Sequence, residues 1–453
     1  MAEKAEERKN GFVKDYLKQK GGFLIRGRSD NILFVVTLIL IVLGIISVFS
    51  ATYASGSASE IKSQLIFSVA GIAIMILVSL VNFRWYEVPA AYIGTIVMLP
   101  LVIYTSFRGE EYNGTRRSLD FGAFQVQPSD VAKVALILAL AYLFDKYHDG
   151  LTGYEPINSK LAAKFNNRFG CPLINKSLFP IVVGAGLTGC YAVGVQIGSH
   201  LSCMLIMLVI GATMFYYGGI RKKWIVAGVL VLALCIGIFL GYGYHKGYIG
   251  TSSDTTAAET GEASSSTDSE SDGGGIFKEY QYSRIKYWLD KDDLSIVDEG
   301  YGGRSQTNKA LAAITSGGFF GKGFGKSTLN SHVGESQNDF IFSIIIESFG
   351  FLGGLLIMIL FAVMIWRIVI IGINCPDRYG SLVALGVASA LSAQVFMHIA
   401  VNIDLLPNTG ITLPFFSSGG TSMVVYCIEI GIVLSISRNS KYKKRFFKSG
   451  DTK

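Results

Sequence analysis

The sequence predicts an all-α polytopic membrane protein of about ten transmembrane helices, with both termini cytoplasmic and a large extracytoplasmic loop between helices seven and eight. Three features predict it. Half of the 453 residues are hydrophobic and only 16% are charged, with a mean hydropathy of +0.44, a composition outside the soluble range. Apolar runs near the ~20 residues needed to cross a bilayer recur along the chain. Lys and Arg gather at the two ends and in short connections, the pattern expected of cytoplasmic segments.

In chain order, residues 1–31 form a basic cytoplasmic tail carrying Lys4, Arg8, Lys9, Lys14, Lys18, Lys20, Arg26 and Arg28. A membrane domain over residues 32–437 follows, with spans expected near 32–52, 63–83, 88–105, 129–146, 178–196, 197–219, 224–244, 340–366, 381–402 and 418–437. Ala51-Thr52-Tyr53-Ala54 faintly resembles a signal cleavage site, but the apolar run before it is too long and its basic leader too extended. Arg221-Lys222-Lys223 in a short connection agrees with the topology, as does the basic tail over 438–453. The net charge of +7 therefore follows from topology and contact with anionic lipid, and nucleic acid is not expected as a partner. None of the six cysteines falls in a predicted outer loop and no pair has CxxC spacing, which disfavours a disulfide framework and a thiolate metal site.

The extracytoplasmic loop at 245–339 divides in two. Residues 251–275 are acidic and poor in apolar bulk, and are expected to be disordered. From Tyr280 the composition turns aromatic, basic and glycine-rich, as suits an element lying at the membrane interface. The glycines from Gly317 to Gly325 admit two readings: close backbone packing or a re-entrant turn, and, less favoured, phosphate contact. GxxxxGK[ST] is absent, which argues against ATP-driven transport by this chain.

Ionisable residues at membrane depth are costly and mark pairs or function. Asp130 and Lys133 share a helix face at the start of span four, as an ion pair that positions the helix or as a substrate contact. Asp339 opens span eight, where an acid serves as a cap or, flanked by aromatics, as a general base. Glu347 and Glu429 are expected to pair with polar groups of other helices, and His200 and His398 to be satisfied core histidines. Arg284 and Lys286, among Tyr282, Tyr287 and Trp288, suit headgroup anchoring and binding of a lipid-linked diphosphate equally.

Arg116-Arg117, Gln127-Pro128-Ser129-Asp130 with Lys133, Tyr282 to Trp288, Asp339-Phe340-Ile341-Phe342 and Leu413-Pro414-Phe415-Phe416-Ser417-Ser418-Gly419-Gly420 come in an order that resembles the SEDS family (shape, elongation, division and sporulation). The resemblance runs from span one to span ten. It implies a peptidoglycan glycosyltransferase in the bacterial cytoplasmic membrane that polymerises lipid II, an undecaprenyl-diphosphate-linked disaccharide peptide, at the outer face, with a class B penicillin-binding protein as transpeptidase partner. The family's essential acid falls on Asp339, its acid and lysine pair on Asp130 and Lys133, and a preceding acid on Glu335. Arg116, Arg117 and Arg284 complete the candidate substrate-binding set, and a divalent cation, magnesium or manganese, is a candidate cofactor. The chain departs from the family at Gln337-Asn338, where His-Thr is usual, at Asp130, where Glu is usual, and at Gln196-Ile197-Gly198, which lacks an acid. Two competing classes are a lipid II transporter and a non-catalytic scaffold of a cell-wall complex. No inverted repeat supports the first.

Overall fold

A computed structural model describes residues 24, 29–53, 58–112, 115–120, 125–147, 178–198, 200–220, 284–285, 288–289, 303–327, 336–418 and 420–439. The predicted span at 224–244, the acidic insertion, nearly all of the two basic tails and Glu335 lie outside the described residues.

The helices are α1 (Asn31–Thr52), α2 (Ala58–Leu80), α3 (Glu87–Arg108), α4 (Pro128–Lys146), α5 (Leu178–Ile197) and α6 (Leu201–Tyr217). They continue with α7 (Gly303–Gly317), a single turn α8 (Ser336–Asp339), α9 (Ile341–Asn374), α10 (Arg378–Asn402) and α11 (Gly420–Asn439). Among the described residues seven helices are long and apolar enough to cross a membrane. The other two predicted spans that fall in this region are α4, which carries Asp130, Lys133, Asp145 and Lys146, and the shorter α6. Three features differ from expectation: α2 begins five residues before its predicted start at 63, α3 contains a π-helical stretch at Gly94–Met98, and α9 runs eight residues beyond its predicted end at 366.

These helices are apolar on every side, so hydrophobicity alone does not select the buried face. In α1, Leu33, Val36, Leu40 and Ile41 are buried while Ile32, Val35, Ile39, Val42 and Ile46 face outward, as a lipid-facing stripe requires. Small residues set the close approaches instead. A methyl group added at Gly44 of α1 would lie 2.0 Å from the Phe415 carbonyl oxygen, so the 403–418 connection can rest there only on glycine.

Polar side chains sort to the two ends of the bundle. At one end Asp30 caps α1 through Leu33 N (2.9 Å) and pairs with Arg367 of α9, Arg84 pairs with Asp377 (3.1 Å), and Arg378 donates to the Gly218 carbonyl (2.8 Å). The opposite end holds Asp339, Asp130, Asn402 and Ser422, at the starts of α9, α4 and α11 and the end of α10. Gly218 thus lies at the basic end, whereas Arg284 donates to Asn408 at the other. A three-stranded antiparallel ribbon, β1 (Glu110–Tyr112), β2 (Thr115–Asp120) and β3 (Gln125–Val126), links α3 to α4 at the acidic end.

Helix α9 is interrupted at Gly350 (φ 72°, ψ −176°), and the glycine-rich segment after α7 docks against the interruption. Lys322 N and Gly323 N donate to the carbonyls of Glu347 (2.8 Å) and Ser348 (3.0 Å), and Phe351 N donates to the Gly318 carbonyl (3.0 Å). A Cβ at Gly317, Gly321 or Gly350 would fall 2.2–2.3 Å from a carbonyl oxygen of the other segment. Backbone packing is thus what these glycines do, and the amides of Lys322 and Gly323 are already spent on protein carbonyls rather than on a phosphate. The same docking brings Lys322 Nζ to Glu347 Oε1 (2.6 Å) and Ser327 Oγ to Glu347 Oε2 (2.5 Å), so Glu347 finds its cation on a loop rather than on a neighbouring helix.

Gly350→Ala should destabilise the protein by about 1–3 kcal/mol, because a side chain is forced into left-handed backbone; a thermal midpoint in detergent equal to the parent's would refute the account. Lys322→Met should cost on the order of 2–3 kcal/mol by leaving the Glu347 carboxylate buried without its cation, less than for a fully buried pair because Lys322 is partly exposed. Adding Glu347→Gln should recover most of that loss in the same melting assay, and no recovery would mean the pair is not the cause.

Candidate functional site

Asp339 ends the one-turn helix α8, and the chain breaks at Phe340 (φ −121°, ψ 24°) before α9 begins. The aromatic ring of Phe340 is no helix cap, so the first amides of α9 lack the usual side-chain acceptor from their own N-terminus. Asn402, wholly buried at the end of α10, supplies it. Its Oδ1 accepts from Ser343 N (3.1 Å) and Ser343 Oγ (2.7 Å), while its Nδ2 donates to the carbonyls of Asp339 (3.1 Å) and His398 (2.9 Å). The preceding carbonyl, that of Asn338, accepts from Ser417 Oγ at 2.8 Å. The Asp339 side chain is itself partly exposed.

Ser417 belongs to the 403–418 connection, which reaches into the bundle. Phe415, at φ 66°, and Phe416 are buried, against Tyr426 and Phe361 respectively. One face of α10 carries Gln394, His398 and Asn402, spaced by four so that they line up along the helix, and the first two hold this connection. Gln394 Nε2 donates to the Thr412 carbonyl (3.1 Å) and to the Tyr426 hydroxyl, and His398 Nδ1 bonds the Ile411 carbonyl (2.7 Å). His398 is thus a core histidine held through Nδ1 alone, its Nε2 making no hydrogen bond among the described residues, and it is one member of a polar stripe rather than an isolated, satisfied residue.

The stripe also reaches the second charged group. Lys133 Nζ lies 2.9 Å from Asp130 Oδ1 and donates to Gln394 Oε1 (2.7 Å), with the Tyr426 ring centroid 5.5 Å away. Ser422 Oγ donates to Asp130 Oδ2 at 2.5 Å. Both charged side chains are almost fully buried, so the pair joins α4, α10 and α11 and faces protein groups in this conformation. Glu429 is buried on α11 one turn beyond Tyr426; contrary to the expectation of a polar partner, its carboxylate oxygens make no hydrogen bond among the described residues.

Arg284 is brought to the same connection, where its Nη1 donates to the Asn408 carbonyl (3.0 Å), and Trp288 Nε1 donates to the Asp404 carbonyl (3.2 Å). Arg116 and Arg117 lie on β2; β3, paired with β2, is tied to α11 by Thr421 Oγ1 donating to the Gln125 carbonyl (2.8 Å). Glu335 lies outside the described residues. Reading the residues alone misses Gln394, Asn402 and Ser417. The signal for the first two was their four-residue spacing with His398 in an otherwise apolar helix, and Ser417 lay inside the Leu413–Gly420 stretch already singled out.

Comparison with known proteins identifies the family. The family model described as "Cell cycle protein" (FTSW_RODA_SPOVE) matches residues 30–442. Stage V sporulation protein E of Bacillus subtilis (strain 168) is 29% identical over 422 residues, covering 91% of this chain and 98% of that protein. A probable peptidoglycan glycosyltransferase FtsW of Geobacter sp. (strain M18) is 26% identical over 421 residues, covering 90% and 96%. Among solved structures, a chain of a peptidoglycan synthase complex described as coordinating polymerization and crosslinking superposes with a TM-score of 0.65 at 20% identity, covering 91% of this chain and 99% of that one. The rod shape determining protein RodA of Thermus thermophilus gives 0.57, also at 20% identity, covering 91% and 98%. With the family's pattern matched from the first span to the last, the chain belongs to the FtsW/RodA/SpoVE family of multi-pass proteins of the bacterial cytoplasmic membrane.

Proposed function

We propose that this protein is a peptidoglycan glycosyltransferase that polymerises lipid II at the outer face of the membrane, with Asp339 as the general base. The observation that carries the reading is the presentation of Asp339: a partly exposed carboxylate at the acidic end of the bundle, on a turn whose last two carbonyls are both held by buried side chains. Asp339 accepts the proton of the sugar 4-hydroxyl as that oxygen attacks the anomeric carbon of the growing chain, and undecaprenyl diphosphate leaves with inversion. The departing diphosphate needs cations, and Arg284, held on the 403–418 connection, with Arg116 and Arg117 of the ribbon, supplies them. Lys133 contributes by holding α4 against α10 and α11. A magnesium or manganese ion would be a further source of neutralisation for the diphosphate. A class B penicillin-binding protein is the proposed partner, because a polymerised strand has to be crosslinked and the relative of known structure comes from a complex described in those terms.

Asp339→Asn keeps the shape and removes the base, and should lower lipid II polymerisation by about a hundredfold or more in the purified chain with its partner. Polymerisation at the parent rate would end the assignment. Lys133→Met should destabilise the protein by about 3–5 kcal/mol, since Asp130 is left buried without a cation. Lys133→Met with Asp130→Asn should regain most of the thermal midpoint. If the double variant also regains polymerisation the pair is a helix clamp, whereas a stable but inactive double variant would reveal a substrate contact.

A further inference from the structure

We propose that Asn402 and Ser417 are positioning residues for Asp339, acting through two consecutive main-chain carbonyls rather than through the carboxylate. The inference rests on the reading of Asp339 as the base and deepens it. Where α8 stops and the chain breaks at Phe340, the carbonyls of Asn338 and Asp339 have no helical continuation to accept from. Each is taken by a buried side-chain donor from a different part of the chain: Ser417 Oγ on Asn338 O (2.8 Å), and Asn402 Nδ2 on Asp339 O (3.1 Å).

Two fixed points on adjacent peptide units leave the peptide planes on either side of the Asp339 Cα little freedom to rotate, and so set the direction of its Cα–Cβ bond. The anchors are themselves braced. Asn402 uses all four hydrogen-bonding positions of its amide, the other three on Ser343 N, Ser343 Oγ and the His398 carbonyl. Ser417 Oγ also accepts from Leu413 N (2.8 Å), which ties the clamp to the Pro414-Phe415-Phe416 wedge. A base has to meet its proton within a few tenths of an ångström, and misplacement by about 1 Å is enough to cost ~100-fold. Neither side chain needs to touch substrate to set the rate.

Asn402→Asp separates positioning from helix capping. It keeps both acceptor contacts to Ser343 and loses the donors to the Asp339 and His398 carbonyls, at the cost of a carboxylate buried without a cation, so its thermal midpoint should fall. Kinetics of lipid II polymerisation by the full chain with its penicillin-binding partner, measured below the variant's thermal midpoint, should show kcat lowered about tenfold to a hundredfold and KM within about twofold of the parent. Ser417→Ala should lower kcat in the same way, and Ser417→Thr, which keeps the hydroxyl, should restore it. Parent kcat in Asn402→Asp, or a loss confined to KM or to the melting midpoint, would overturn the inference. Should Asn402→Asp not fold, Ser417→Ala at parent kcat would overturn it alone. Asp339→Asn separates the two levels: active Asp339→Asn protein removes the base itself, while inactive Asp339→Asn beside unimpaired Asn402→Asp and Ser417→Ala removes only the positioning.

Discussion

Every amide and carbonyl released where α9 breaks has to be satisfied by the protein, because hydrocarbon offers no replacement. The chain breaks at Phe340, just before the helix, and the helix itself at Gly350, and the architecture of the acidic end follows from how those groups are met. At Gly350 the partner is another stretch of main chain, brought within reach by glycines. At Phe340 the partners are side chains, Asn402 and Ser417, delivered by α10 and by the connection that follows it. That connection can reach so deep only because Gly44 leaves room for the Phe415 carbonyl and because Phe415 accepts a left-handed backbone.

The second organising element is the buried ammonium of Lys133. A lone cation inside a bundle is costly, and here it is met by a carboxylate, an amide oxygen and the face of a tyrosine ring from three helices. Gln394 serves both this group and the 403–418 connection, so the stripe on α10 runs without interruption from the Lys133 pair to the turn that carries Asp339.

The fold was legible in the sequence to the extent that apolar length and basic flanks define spans, since both are properties of single segments. Asp130 and Lys133 were legible as a pair for the same reason: three residues on one helix decide it. What was not legible was long-range. Nothing local links Ser417 to Asn338, 79 residues apart, or Asn402 to Asp339, 63 apart. The expected helix partner of Glu347 proved to be Lys322 on a loop, because the docking of main chain at Gly350, not helix packing, decides what stands beside it.

A clamp that grips carbonyl oxygens is blind to the side chains it holds. Ser417 bonds the main chain of residue 338, so the anchorage does not depend on the asparagine side chain there. The turn is free to vary in the side chains it displays around the acid while the angle at which it presents the acid stays the same.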